Sequence, residues 1–453
     1  MVKTLNNSRF IKTLFLFLAL ISILLDSENS YATKTHGRLT LGSTAITERY
    51  KTDAFGSTSN DFLIASARLF YKVTEVGDDK WEFVSDLRDK NDFFGKLNQE
   101  QLQLDNKNEF QIRQLSSRWL NPQGLWSSQM GRFQILETGS VFVDGASLEY
   151  RYSSEFKSGF FAGLNPKSIE KSYLEFDADA QQAGTYFTYQ SKDRGWDENK
   201  YITHGFVQQK YKTETERTFL FQNIVYQWEA DSRIINTAFF DFTPVSKFQT
   251  LNFLYQQNWS KKVNTEIAHL LIDVIEYRRQ QGVLEKLEAS PYNESRFEID
   301  YLIDRNQTLK TSALYGTREI DHLTKTELNL GYNINQFISN KVDFLSQIGF
   351  RKNFTSNDIF LKCNVGYFSK AWELFADQQI EQNKNVDGTT TNPIITEIGA
   401  TSFISKQFFV TGSFQRTADE NVIIYSTQLR LIYRFGDQET APLRDGAPPR
   451  GTL

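Results

Sequence analysis

The sequence predicts an all-β chain: a transmembrane antiparallel up-and-down β-barrel of about 16 to 22 strands. Three observations carry that expectation. Aromatic residues make up 14% of the 453 residues, with Phe at 38 and Tyr at 20, while Pro stands at 8. Aromatic rings pack well on a pleated surface, and the missing N–H of proline breaks a ladder. Apolar and polar residues alternate along stretches of about ten residues, the length a tilted strand needs to cross a bilayer. Beyond an export signal, no uncharged run is long enough for a membrane helix, which leaves the closed barrel as the spanning form.

The signal comes first. Lys3, Arg9 and Lys12 precede the apolar run Leu14–Leu25, which only Ser22 interrupts. Ser30-Tyr31-Ala32 then sets small residues where a signal peptidase needs them, so cleavage is expected after Ala32. A membrane anchor is the competing reading, but the run falls short of the about 20 residues of a comfortable span. The expected organisation is a signal peptide over 1–32, a barrel over 33–435 and a disordered, Pro-bearing periplasmic tail over 436–453.

Strands are expected at 37–49, 61–74, 80–90, 109–119, 124–134, 144–153, 157–164, 183–191, 200–212, 216–228, 232–243, 248–259 and 262–277, then nine more from 294 onward. The alternation is clearest near the end. Ile423, Tyr425, Leu429, Leu431, Tyr433 and Phe435 share one face, and Ser426, Gln428, Arg430 and Arg434 the other. Likewise Ile359, Leu361, Cys363 and Val365 oppose Phe360, Lys362 and Asn364. Short turns (305–307, 340, 369–370, 405–406) are expected to alternate with longer links (319–322, 352–357, 382–393, 418–421), as in outer-membrane barrels. A soluble sandwich or propeller is the alternative, but no blade-length repeat is present.

Parity projects a charged set inward. It holds Arg68, Lys72, Arg113, Arg132, Arg151, Lys310, Arg351, Lys362, Arg416, Arg430 and Arg434 against Glu82, Asp86, Glu149, Glu298, Asp300 and Glu327. Such residues either line a pore and set its ion preference or pair across strands to hold the wall. The surplus of cations points to weak anion preference.

Other chemistry is thin. A single Cys excludes a disulfide framework and multi-Cys metal sites, and a net charge of -4 gives no support for nucleic-acid binding. The histidines, His36, His204, His269 and His322, fall in no HExxH motif or close pair, so no metal, cofactor or catalytic residue is expected. An outer-membrane hydrolase would have to draw on His204 or on His322 beside Asp321. Asp387, among Asn and Thr, reads as an exposed loop rather than a calcium site.

The last strand, Leu429-Arg430-Leu431-Ile432-Tyr433-Arg434-Phe435, resembles that of Gram-negative outer-membrane porin-type barrels. Gly131-Arg132-Phe133 and Asp144-Gly145-Ala146-Ser147-Leu148-Glu149-Tyr150 are similar to stretches of porins and polysaccharide-export barrels. The resemblance implies that Tyr433 and Phe435 form the signal read by the barrel-assembly machinery, although residues 436–453 follow. It also implies a barrel seated in outer-membrane lipid, as a monomer or a homo-oligomer. The expected activity is passive diffusion of small hydrophilic solutes, anions among them. The alternatives are a selective exporter or uptake barrel for an anionic polymer or ion, a hydrolase, and a scaffold or adhesion barrel.

Overall fold

The computed structural model describes residues 34–436, apart from 51–57, 77–79, 93–107, 122, 167–175, 192–198, 230–231, 244–245, 274, 281–282 and 289–290. The signal peptide and the tail beyond Gly436 lie outside the described residues. The N-terminal strands are β1 Lys34–Tyr50, β2 Thr58–Val76, β3 Trp81–Asp92, β4 Asn108–Leu120, β5 Trp126–Ile135, β6 Val141–Arg151, β7 Phe156–Leu164, β8 Ala180–Gln190 and β9 Asn199–Tyr211. Next come β10 Glu214–Glu229, β11 Ser232–Thr243, β12 Lys247–Ser260, β13 Val263–Ile272, β14 Ile275–Gln280, β15 Val283–Glu288 and β16 Tyr292–Leu302. The remainder are β17 Gln307–Arg318, β18 Leu323–Ile334, β19 Val342–Lys352, β20 Ser356–Phe368, β21 Trp372–Asn385, β22 Thr390–Thr391, β23 Ile394–Phe403, β24 Phe408–Ala418 and β25 Val422–Gly436.

Neighbours in sequence pair antiparallel, and β1 closes on β25 from His36↔Gly436 to Tyr50↔Val422. The result is a closed 22-stranded up-and-down barrel. Closure leaves no open edge, so the wall can lie in hydrocarbon with its backbone groups paired. The hairpin β14–β15 stands apart, with β13 pairing directly to β16. This hairpin is a correction: the expected strand 262–277 ends at Ile272.

The sheet's two faces differ as the alternation requires. Ile359, Leu361 and Val365 are exposed on the convex side, while Asp358 and Phe360, of the opposite parity, are buried on the concave side. Phe83, Leu115, Met130, Leu148, Phe160, Ile348, Phe350 and Ile398 extend the exposed apolar face around the wall. A soluble protein does not leave so much contiguous apolar surface in water.

The loop pattern differs from the expectation. The three longest connections, 93–107, 165–179 and 273–291, fall at the end opposite the two termini, although 191–198 at the terminal end exceeds 51–57. In the C-terminal third the lengths do not alternate: 335–341 at the terminal end exceeds 319–322, 353–355 and 419–421 at the other. The reason is that strands run on into stretches read as loop. β21 continues through Asn383 and Asn385 and turns back to pair with β22.

Candidate functional site

The inner face carries the polar chemistry, and most of it is paired. Arg68 grips Asp86 through Nε and Nη2 at 2.8 and 2.6 Å, and Lys72 lies 3.0 Å from Glu82. Farther round, Lys310 meets Asp300 at 3.2 Å, Lys362 meets Asp377 at 3.1 Å, and Arg351 reaches Asp358 at 2.9 Å and Glu381 at 3.6 Å. Arg296–Glu266 and Lys325–Glu294 continue the series. Glu298 follows Arg296 on the same face, and Glu327 sits opposite Arg351 and accepts from Asn329 at 2.8 Å.

Two residues of the expected inward set lie elsewhere. Arg416 is registered with Tyr425 and follows Phe414 on the outer face, because the inward series of β24 is Thr411, Ser413 and Gln415. Arg132 is registered with Asp144, one residue out of phase with the inner series Gln129↔Ser147 and Phe133↔Val143. It is buried and bonded to Asp144 through Nε and Nη2 at 2.6 Å each. Arg113 is the extra residue of a bulge opposite β3. A one-residue phase error moves a side chain to the other face, and bulges and bends introduce that error.

The wall from β5 to β11 holds what alternation did not reveal. Phe133, Val143, Phe161 and Val207 have no exposed surface and form, with Ile135, Tyr186 and Phe219, an apolar core on the inner face. Val141 and Phe239 pack against it. The connection after β5 folds inward over this core as a single 3-10 turn, Leu136–Thr138, closed by Gly139 in the left-handed region at φ 78°. Gly205 gives the turn its room: a Cβ there would collide with the Glu137 carbonyl and Thr138.

Ion pairs latch the turn. Lys157 Nζ donates to Glu137 at 2.6 Å and to Glu149 at 3.0 Å. Glu149 also accepts from Tyr186 Oη at 3.0 Å and from Arg118 Nη2 at 3.3 Å. Glu149 belongs to the expected set, whereas Lys157, Glu137, Tyr186 and Arg118 do not. Lys157 and Tyr186 fall in the stretch whose strand pattern is faintest, broken by Gly159, Gly163 and Gly184. Arg151 stays half out of this cluster, 3.8 Å from Glu149.

Where the barrel closes, the charges are uncompensated. Arg38 of β1 is registered directly with Arg434 of β25, and Arg430 sits opposite Gly42 on the same inner face. Among the described residues Arg38 and Arg430 have no carboxylate partner, and Arg434 lies over the Phe409 ring at 5.0 Å.

Two of the histidines fall on the outer face. His204 is exposed on the outer face, between the buried inward residues Thr203 and Gly205. His269 Nδ1 lies 3.0 Å from Ser295 Oγ, also on the outer face, with no carboxylate to orient it among the described residues. Asp387 accepts from the Thr389 amide and hydroxyl in an exposed turn.

No protein-family model and no curated protein matches the chain. Solved structures do resemble it. The translocation pore of the P pilus usher PapC superposes with a TM-score of 0.52 at 7% identity, over 87% of this chain and 99% of that one. Pseudomonas aeruginosa OpdQ gives a TM-score of 0.43 at 9% identity, over 89% and 98%. Acinetobacter baumannii OccAB4 gives 0.41 at 11% identity, over 89% and 98%. The likeness to the usher pore is one of fold. With its closed ladder, apolar outer face and charged interior, the chain has the fold of a membrane-spanning β-barrel.

Proposed function

We propose that the barrel is a passive channel for small hydrophilic solutes with a weak preference for anions. The observation that carries the reading is the cationic stripe at the closing strands. Like charges set directly opposite across a ladder destabilise it, so Arg38 facing Arg434, with Arg430 alongside, is a costly arrangement for a merely structural wall. Elsewhere many inner cations meet cross-strand carboxylates, as Arg68, Lys72, Lys310, Arg351 and Lys362 do, which keeps the preference small. A water-filled lumen between low-dielectric walls raises the local anion concentration beside such a stripe. The apolar core and its inward turn narrow the passage on the facing wall, so solutes are steered past the arginines. Diffusion through this lumen requires no covalent step.

Reversal potentials of the purified protein in a salt gradient across a planar bilayer test the reading. Anion preference is expected, and it should fall in Arg430→Gln and again in Arg38→Gln. Cation preference in the unmodified protein overturns it, as does a selectivity unchanged by both substitutions.

A further inference from the structure

We propose that the outer face from β19 round to β1 holds the phosphate head groups of an anionic lipid, in the leaflet at the end opposite the termini. The inference rests on the wall's seat in a membrane and is independent of the channel reading.

The alternation sorts charge sharply along this arc. On β16 to β25 and on β1, the charged residues that the ladder places inside are of both signs. Those it places outside are Lys352, Lys384, Arg416 and Arg49, all cationic. The arc ends at β2, where Asp61 shares the outer face. Each cation stands close to the end of its strand: β19 stops at Lys352, β21 at Asn385, β24 at Ala418 and β1 at Tyr50. These ends lie opposite the termini, beyond the exposed apolar band of Phe350, Ile380 and Phe414. The other rim of the same face is aromatic and uncharged, with Tyr301, Trp372 and Tyr433. Snorkelling alone would let Lys and Arg serve at either rim. A cationic belt at one rim matches a leaflet with anionic head groups.

The register groups the belt in pairs. Lys352 and Lys384 flank Asn357 on consecutive strands, as Lys352↔Asn357 and Asn357↔Lys384. Arg416 is registered with Tyr425 of β25, and Arg49, from the strand beyond, lies over the same ring at 5.5 Å. Alternate strands are about 10 Å apart, so the side chains of a pair can converge on one phosphate between them. At the first pair the Asn357 amide adds a donor, and the contacts are charge-assisted. Among the described residues none of these cations has a carboxylate partner, and the turns beyond do not supply one: Asp321 is held by Arg318 and Asp387 by Thr389. Arg416, which its parity keeps out of the lumen, thus meets its counter-charge in the lipid.

The test is native mass spectrometry of the full-length protein, released from micelles holding phosphatidylglycerol and phosphatidylcholine in equal amounts. Preferential retention of phosphatidylglycerol is expected. Lys352→Gln combined with Lys384→Gln should weaken that retention about thirtyfold, the sum of two cations at a membrane surface. Arg49→Gln combined with Arg416→Gln should do the same. Lys370→Gln with Lys406→Gln removes two cations from turns at the terminal end and should leave retention unchanged. Each variant is scored on its heat-modifiable folded form, so misfolded chain does not count. Equal retention of the two lipids overturns the site. An equal loss in the turn variant overturns it as well, because net charge would then account for the binding.

Discussion

The wall from β5 to β11 and the wall from β16 to β25 share one strand period yet differ on the inside. In the second, most inward charges up to β21 meet a partner on a neighbouring strand, and only the closing strand leaves arginines bare. In the first, the inner face is apolar, glycines bring the backbones close, and a turn folds over the core like a lid on a shallow bowl. The same alternation therefore builds a bare wall in one half and a packed interior in the other. What decides is whether the inward position holds an Arg–carboxylate pair or a Phe beside a Gly.

The comparison breaks most readily at the core. Phe161→Ala should cost about 3–5 kcal/mol, the range for emptying a buried aromatic site, measured by urea unfolding in detergent. A loss under about 1 kcal/mol would mean that this region is as loosely filled as the opposite wall. Gly205→Val acts on function instead. It should dislodge the turn and raise single-channel conductance, and unchanged conductance would show that the turn does not narrow the passage.

The regular wall gives the next test. Leu361→Arg puts a charge against lipid and should cost roughly 2–4 kcal/mol near the midplane, whereas Asn364→Arg on the inner face should be tolerated. Equal yields of the heat-modifiable form from both variants would reverse the facing assignment.

The closing strand should respond more selectively. Phe435 covers Gly37 and stacks on Tyr71 at 6.0 Å and Tyr433 at 5.9 Å. Phe435→Asp should therefore leave the chain in the periplasm, while deletion of 437–453 should permit insertion. Failure of the deletion alone would move the assembly signal into the tail.

The smallest effect concerns an exposed turn. The Thr389 hydroxyl and amide hold the Asp387 carboxyl below its ordinary range. A lowered folded pKa contributes stability above the usual carboxylate value, and that contribution fades as pH falls through the lowered one. Amide exchange at Thr389 should thus quicken below about pH 4 relative to neighbouring strand amides. The difference should vanish in Asp387→Asn.

How much of this was legible follows the same division. Strands such as 358–368 and 423–435 show clean alternation, so their existence, facing and last inward arginines could be read directly. Arg132 stands one residue beyond Gly131, whose positive φ bends β5 without a mark in the sequence, whereas Arg416 shares the parity of Val410 and Phe414, which an unbroken β24 carries to the outer face. The latch of Lys157, Glu137 and Tyr186 escaped notice because its members come from three segments joined only by the inward fold of a turn. Gly131-Arg132 and Asp144-Gly145 did stand out, and the register pairs them residue for residue.

The ladder joining β1 to β25 also governs how the molecule can come into being. His36 pairs with Gly436, so closure ties off a chain of roughly 400 residues, an entropic cost of about 5 kcal/mol for a flexible loop. None of it is recovered until the last strand arrives, whatever order the other hairpins form in. Such a topology has a slow final step, because its most distant contact in sequence is also its last. Until then both edge strands are open templates on which another chain could pair.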